Sequence, residues 1–246
     1  MIRYMSDIPQ EFIIYAVLGS LIPTFFWLWF WSRRDRFCPE PKVHLMGAFV
    51  FGALAALFTL PSQSFVAAVF GSTSVIAMVL FVTVEEYIKY ACCWYIAMRS
   101  NPYFNERIDP IVYLATTALG FAALENILYF LQYLNNFELS IATIEGGKRI
   151  IGATVLHMVT SSVVGIFISL AFFSSKIKKS IFLCIGLVLA ILIHVGFNHL
   201  VTFTEENLIL IAFGASWILF MVIIIVLELL RAPVCPPEID WSEHDV

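Results

Sequence analysis

The stretch FVTVEEYIKYACCWYIAM, residues 81–98, decides how the chain is to be read. Without Glu85, Glu86 and Lys89 it is an apolar run of the kind that crosses a bilayer. With them it carries three ionisable groups at a depth where each costs several kcal/mol, from about 3 upward. Such groups are rare in spans and point inward, toward a partner or a wet cavity. The reading of the whole chain therefore turns on two points: whether its other apolar runs are also spans, and whether they hold polar groups at a matching depth.

Composition answers the first. Of 246 residues, 61% are hydrophobic and 13% charged, whereas soluble domains run at about half apolar and about a quarter charged. This is the composition of a membrane protein. Apolar runs cover 12–31, 43–61, 72–98, 111–134, 150–173, 181–203 and 207–230. Each approaches the roughly 20 residues a spanning helix needs. Barrel strands would be shorter and would alternate, so the predicted fold is all-α, a polytopic bundle of seven transmembrane helices. The piece 62–71 is apolar but too short to cross; it is expected to lie in the interface or to extend the third helix, with an eighth helix as the alternative.

Basic residues set the predicted orientation. Arg33, Arg34, Arg36, Lys42, Arg99, Arg107, Lys176, Lys178, Lys179 and Arg231 fall on one side, against Arg3, Lys148 and Arg149 on the other. An outside N-terminus and a cytoplasmic C-terminus follow. The first run lacks a small-residue cleavage site and is read as a retained span. Residues 1–231 form one helical domain, and 232–246, rich in proline and acid, form a disordered cytoplasmic tail. Cys38, Cys92, Cys93, Cys184 and Cys235 show no metal-binding spacing and are expected to be free thiols. A net charge of −4 argues against nucleic acid as a partner.

The second point is answered by three further spans. The fourth carries Glu125 and Asn126, the fifth His157, and the sixth His194, Asn198 and His199. Counted from the outer end of each span at about 1.5 Å per residue, Glu85, Glu125, His157 and His194 fall roughly 10–20 Å deep. Four helices thus place ionisable groups in one layer. Within helices, Glu85 and Lys89 are one turn apart and share a face, while Glu86 points about 100° away. His194 with Asn198, and Glu125 with Tyr129, are also one turn apart.

Peptide hydrolysis needs an activated water and donors for the developing oxyanion. A carboxylate in a low-dielectric pocket suits the first task, and imidazole and carboxamide groups suit the second. Equally, Glu85, Glu125, His157 and His194 are of the types that hold a divalent metal, Zn²⁺ being the natural choice, which lowers the pKa of a bound water. Both readings stay open at this level. A proton or metal-ion transporter would also use intramembrane Glu and His. However, the polar groups form a layer rather than a ladder, and no inverted repeat is visible. A non-catalytic binding or immunity protein is the third class.

The blocks VEEYIK, DPIVYLATTALGFAALENILYF, LHMVTSSVVG and HVGFN, in that order between Thr83 and Leu200, resemble the PrsW family of intramembrane proteases. That family is grouped with the type II CAAX prenyl endopeptidases and the bacteriocin-processing or immunity proteins. The resemblance implies an intramembrane protease of a prokaryotic cell membrane. Its substrate would be a single-span membrane protein in the lipid bilayer, cleaved in site-1 fashion near the outer face, as for an anti-sigma factor. It implies catalytic roles for Glu85, Glu86, His157, His194 and Asn198, one of the paired glutamates being the base and His194 and Asn198 serving the oxyanion; Glu125 joins the catalytic set by its depth in the same layer. By position and spacing, Lys89, Asn126 and Tyr129 are expected to support them. CAAX relatives carry EExxxR and FxxxH, where this chain has Lys89 and Phe121…Glu125; the difference favours the PrsW branch. The mechanism it implies is glutamic or metal-dependent.

Overall fold

The computed structural model describes residues 10–34, 39–72, 74–136, 139–203 and 206–231. The described residues hold seven α-helices: α1 Gln10–Arg34, α2 Lys42–Phe70, α3 Val75–Cys93, α4 Asp109–Asn136, α5 Leu139–Leu170, α6 Lys176–Phe203 and α7 Glu206–Leu230. All but α3 are long and apolar enough to cross a membrane. The exception is the helix of Glu85, Glu86 and Lys89, whose three charges crowd only 19 residues. Together they form a polytopic membrane bundle, as composition predicts. The tail 232–246 and the first nine residues lie outside the described residues.

Burial separates a centre from a periphery. In α4 and α5, 78% and 72% of the span is buried, against 39% in α2 and 17% in α1. A helix apolar on all sides and lined by small residues can be surrounded by other helices, and α4 carries such a run in LATTALGFAA. Gly52 and Gly120 show why α2 comes so close to α4. A Cβ on Gly52 would collide with the carbonyl of Thr117, and one on Gly120 with the carbonyl of Phe49. The main apolar core joins Trp31, Phe49, Leu119, Val159 and Leu227 from five helices. The indole N–H of Trp31 donates to the sulfur of Met158 at 3.0 Å.

Helix ends follow local chemistry. Ser74 caps α3, its hydroxyl accepting from the Ala77 N–H at 3.0 Å. The carboxylate of Asp109 accepts from the N–H groups of Asn105 and Glu106 and so ties the α3–α4 loop to the start of α4. Gly71, at φ 80°, ends α2 in a conformation that suits glycine. Beyond α3 the chain makes a π-helical turn, Trp94–Met98.

Two sequence expectations change. The piece 62–71 neither lies apart nor extends the third helix; it continues α2 to Phe70. Pro61 precedes it, but a helix tolerates proline where the carbonyl one turn earlier finds another partner or bends away. At about 1.5 Å per residue α2 is roughly 43 Å long, more than the bilayer core needs. Helix α5 likewise starts well before position 150 and α6 starts at Lys176. Hydropathy marks the lipid-buried part of a helix, whereas backbone hydrogen bonding carries it past that limit. Cys92, Cys93 and Cys184 are free thiols, as expected; Cys38 and Cys235 lie outside the described residues.

Candidate active site

A cavity of about 570 Å³ lies among the end of α2, the start of α3, the end of α4, the start of α5, the end of α6 and the start of α7. Under the orientation predicted from the basic residues, these are the outer ends. Glu85 lies ten residues into α3, about 15 Å along the helix. Glu85, Glu125, His157, His194 and Asn198 all line the cavity, as does Tyr129. Four helices therefore bring their ionisable groups to one cavity.

The two adjacent glutamates have different surroundings. Glu85 faces the cavity, where one carboxylate oxygen accepts from the Gln63 amide at 2.8 Å. Its other oxygen lies 3.8 Å from Nε2 of His194. Glu86 is 1% exposed and sits behind the cavity. A single oxygen of Glu86 takes three contacts: Lys89 Nζ at 2.7 Å, His194 Nδ1 at 2.6 Å and the Thr160 hydroxyl at 3.1 Å. Lys89 thus pairs with Glu86 one turn away at i,i+3, rather than with Glu85 on the face that spacing alone assigns it. A lysine stem is long enough to choose, and a wholly buried ammonium goes to the carboxylate sealed in with it.

These contacts orient the imidazoles. An ionised carboxylate only accepts, so His194 donates from Nδ1 to Glu86, which leaves Nε2 as the nitrogen that faces Glu85. A carboxylate behind a histidine is the arrangement that fixes ring and tautomer in metal sites. His157 sits edge-on to His194 with ring centres 5.0 Å apart. Its Nε2 meets Glu125 at 2.8 Å and its Nδ1 meets Lys89 Nζ at 3.2 Å. Asn126 donates to the Thr154 hydroxyl at 3.0 Å and clamps α4 to α5 away from the cavity.

Gln63 and Thr160 touch the paired glutamates and escaped the sequence reading. Gln63 lies in the piece left outside the spans, and only the continuous α2 brings it to Glu85. Thr160 follows His157 by three positions, a spacing that puts it on the same side of α5, which is the one signal that could have found it.

Residues 40–227 match the family model described as PrsW family intramembrane metalloprotease. The chain belongs to the PrsW family of intramembrane proteases. Similar relatives are each called Protease PrsW. One from Clostridioides difficile (strain 630) is 30% identical over 178 residues, covering 70% of this chain and 73% of the relative. Another, from Geobacillus kaustophilus (strain HTA426), is 28% identical over 190 residues, 76% and 78%. A third, from Bacillus subtilis (strain 168), is 25% identical over 196 residues, 77% and 84%. No solved structure matches the chain. This PrsW-family member is a membrane protease, and the matched region contains every cavity residue named above.

A metal has a place to sit. Glu85, His157 and His194 each offer a ligand atom, and these atoms lie within 4.8 Å of one another. Two imidazoles and a carboxylate are a donor set that Zn²⁺ takes. Three carboxylates, Glu85, Glu86 and Glu125, face one ammonium, Lys89, in this layer. That excess of negative charge needs either protons or a divalent cation to offset it.

Proposed function

We propose that this PrsW-family protease hydrolyses a peptide bond of a single-span membrane protein near the outer face, by water that Glu85 activates. A site-1-type cut in an anti-sigma factor is the substrate class the family resemblance implies. The observation that carries the reading is the division of the glutamate pair. Glu85 faces the cavity beside His194, whereas Glu86 is sealed behind the histidine it orients.

Glu85 accepts a proton from the attacking water and is placed to pass it to the leaving amine. The Gln63 amide N–H donates to one oxygen of that carboxylate and fixes its orientation toward the cavity. Glu125 and His157 position that water from the far wall. Asn198 offers its carboxamide N–H groups to the tetrahedral oxyanion, one turn from His194 on α6. In the metal-dependent version Glu85 would be a ligand in place of a base, and with His194, and His157 as the third candidate, would hold Zn²⁺, which would polarise the carbonyl and acidify a water.

The test is cleavage of a candidate single-span protein by purified enzyme in detergent. Turnover should vanish in Glu85→Gln. Ion flux in proteoliposomes without any cleavage would overturn the protease reading of this site. Chelation followed by elemental analysis addresses the metal: turnover by protein free of zinc would exclude the metal-dependent version.

A further inference from the structure

Lys89 is the one fully buried cation among the described residues of the site, and the hydrolysis outlined above leaves it without a task. It is 0% exposed, it sits over the Phe121 ring with Nζ 5.1 Å from the ring centre, and its ammonium reaches two groups. One is Glu86 at 2.7 Å and the other is Nδ1 of His157 at 3.2 Å. The second contact has a consequence for the imidazole.

An ammonium carries three protons and no lone pair, so it can only donate. Nδ1 of His157 must then be the acceptor in that contact, which puts the proton of the neutral ring on Nε2. The opposite side of the ring agrees. Nε2 lies 2.8 Å from a carboxylate oxygen of Glu125, and that carboxylate takes the proton Nε2 donates. Both nitrogens of His157 are thereby committed, one to Lys89 and one to Glu125. His194 has the reverse arrangement, because Glu86 takes the proton of Nδ1 and Nε2 is the nitrogen that faces Glu85. Two histidines with ring centres 5.0 Å apart are thus held through Nδ1 in opposite senses by one ion pair, as a donor to Glu86 in His194 and as an acceptor from Lys89 in His157.

We propose that Lys89 is a positioning residue that locks His157 in the Nε2–H tautomer, so that His157 faces the cavity as a hydrogen-bond donor and not as a metal ligand. This rests on the protease reading only for its catalytic consequence. His157 lines the cavity, and its N–H, held by Glu125 at rest, is available to an oxyanion that forms beside it. It follows that a metal in this site is held by Glu85 and His194 without an imidazole from α5.

The test reads the tautomer directly. Full-length protein with ¹⁵N-labelled histidine, in nanodiscs and free of metal, has five histidines to resolve; loss of one set of signals in His157→Gln assigns that ring. Expected is a protonated Nε2 and a bare Nδ1 on His157, unchanged in Lys89→Arg. In Lys89→Met the ring should redistribute toward the Nδ1–H form. Titration with Zn²⁺ should move the His194 signals and leave those of His157 in place. Protonated Nδ1 on His157 in the unsubstituted protein overturns the proposal, as does zinc bound at its Nε2 or a Lys89→Met spectrum identical to the parent. The first and second of these use the parent chain, so the outcome stands even if Lys89→Met does not fold. In the cleavage assay Lys89→Met should lower kcat about tenfold or more with KM nearly constant, as loss of an aligned oxyanion donor does. An absence of cleavage by the parent protein would sink the function of the site and leave the tautomer result intact.

Discussion

Replacing Glu86 by glutamine separates the adjacent glutamates by stability as well as by activity. Glutamine keeps the shape and an acceptor oxygen for His194 and Thr160, but removes the charge opposite Lys89. The ammonium, 0% exposed, has no water to turn to. Removing one partner of a buried pair costs about 3–5 kcal/mol. For a chain of this size each kcal/mol is worth about 2–4 °C in Tm, so Glu86→Gln should unfold roughly 6–20 °C below the parent. Glu85→Gln should behave differently. Its side chain borders the cavity and keeps the Gln63 contact through the amide oxygen, so its Tm should stay within a few degrees of the parent while turnover falls about 10²–10⁴-fold. Thermal unfolding followed in detergent, alongside the cleavage assay, reads both. The double variant Glu86→Gln/Lys89→Met supplies the check, because deleting the stranded ammonium should return most of the lost stability. If Glu86→Gln melts with the parent yet is inactive, Glu86 does chemistry and its assignment as an anchor is wrong.

Three further outcomes follow from separate parts of the structure. Gln63→Leu should slow cleavage about 3–10-fold without lowering Tm appreciably, the value of one hydrogen bond to Glu85; an unchanged rate would remove Gln63 from the site. Gly52→Ala should destabilise by about 1–3 kcal/mol or more by driving α2 off the Thr117 carbonyl, while Gly214→Ala, with open space around it, should be neutral in the same unfolding assay. Burial holds the Glu106 carboxyl above the usual range, with Arg231 pulling it partly back down. A raised folded-state value means the ionised form opposes folding at neutral pH and the opposition fades as pH falls. Glu106→Gln should accordingly melt higher than the parent at about pH 7 and equal it near about pH 4; a gap that widens on acidification would contradict this sign.

Much of the site was legible before any coordinates, because a charge inside a bilayer-length apolar run is costly enough to be selective. Glu85, Glu125, His157 and His194 were singled out on that basis, and Asn198 by its spacing from His194 and the HVGFN block; all line one cavity. Asn126 shows the limit of the same logic. It neighbours Glu125 and is equally out of place in lipid, yet it spends its amide on Thr154 to join two helices. Gln63 was hidden for the opposite reason. An uncharged side chain in a short apolar piece raises no alarm, and its relevance depends on α2 continuing past Pro61.

The chain by itself determined that the protein lives in a membrane as helices and that one layer of the bundle is polar, since hydropathy and helical pitch are properties of consecutive residues. Only the packed structure decided which carboxylate meets the cavity, which is sealed in with Lys89, and which nitrogen of each imidazole is occupied. Those choices are made between helices, by distances of a few ångströms across contacts that adjacent positions such as Glu85 and Glu86 cannot express in their order along the chain.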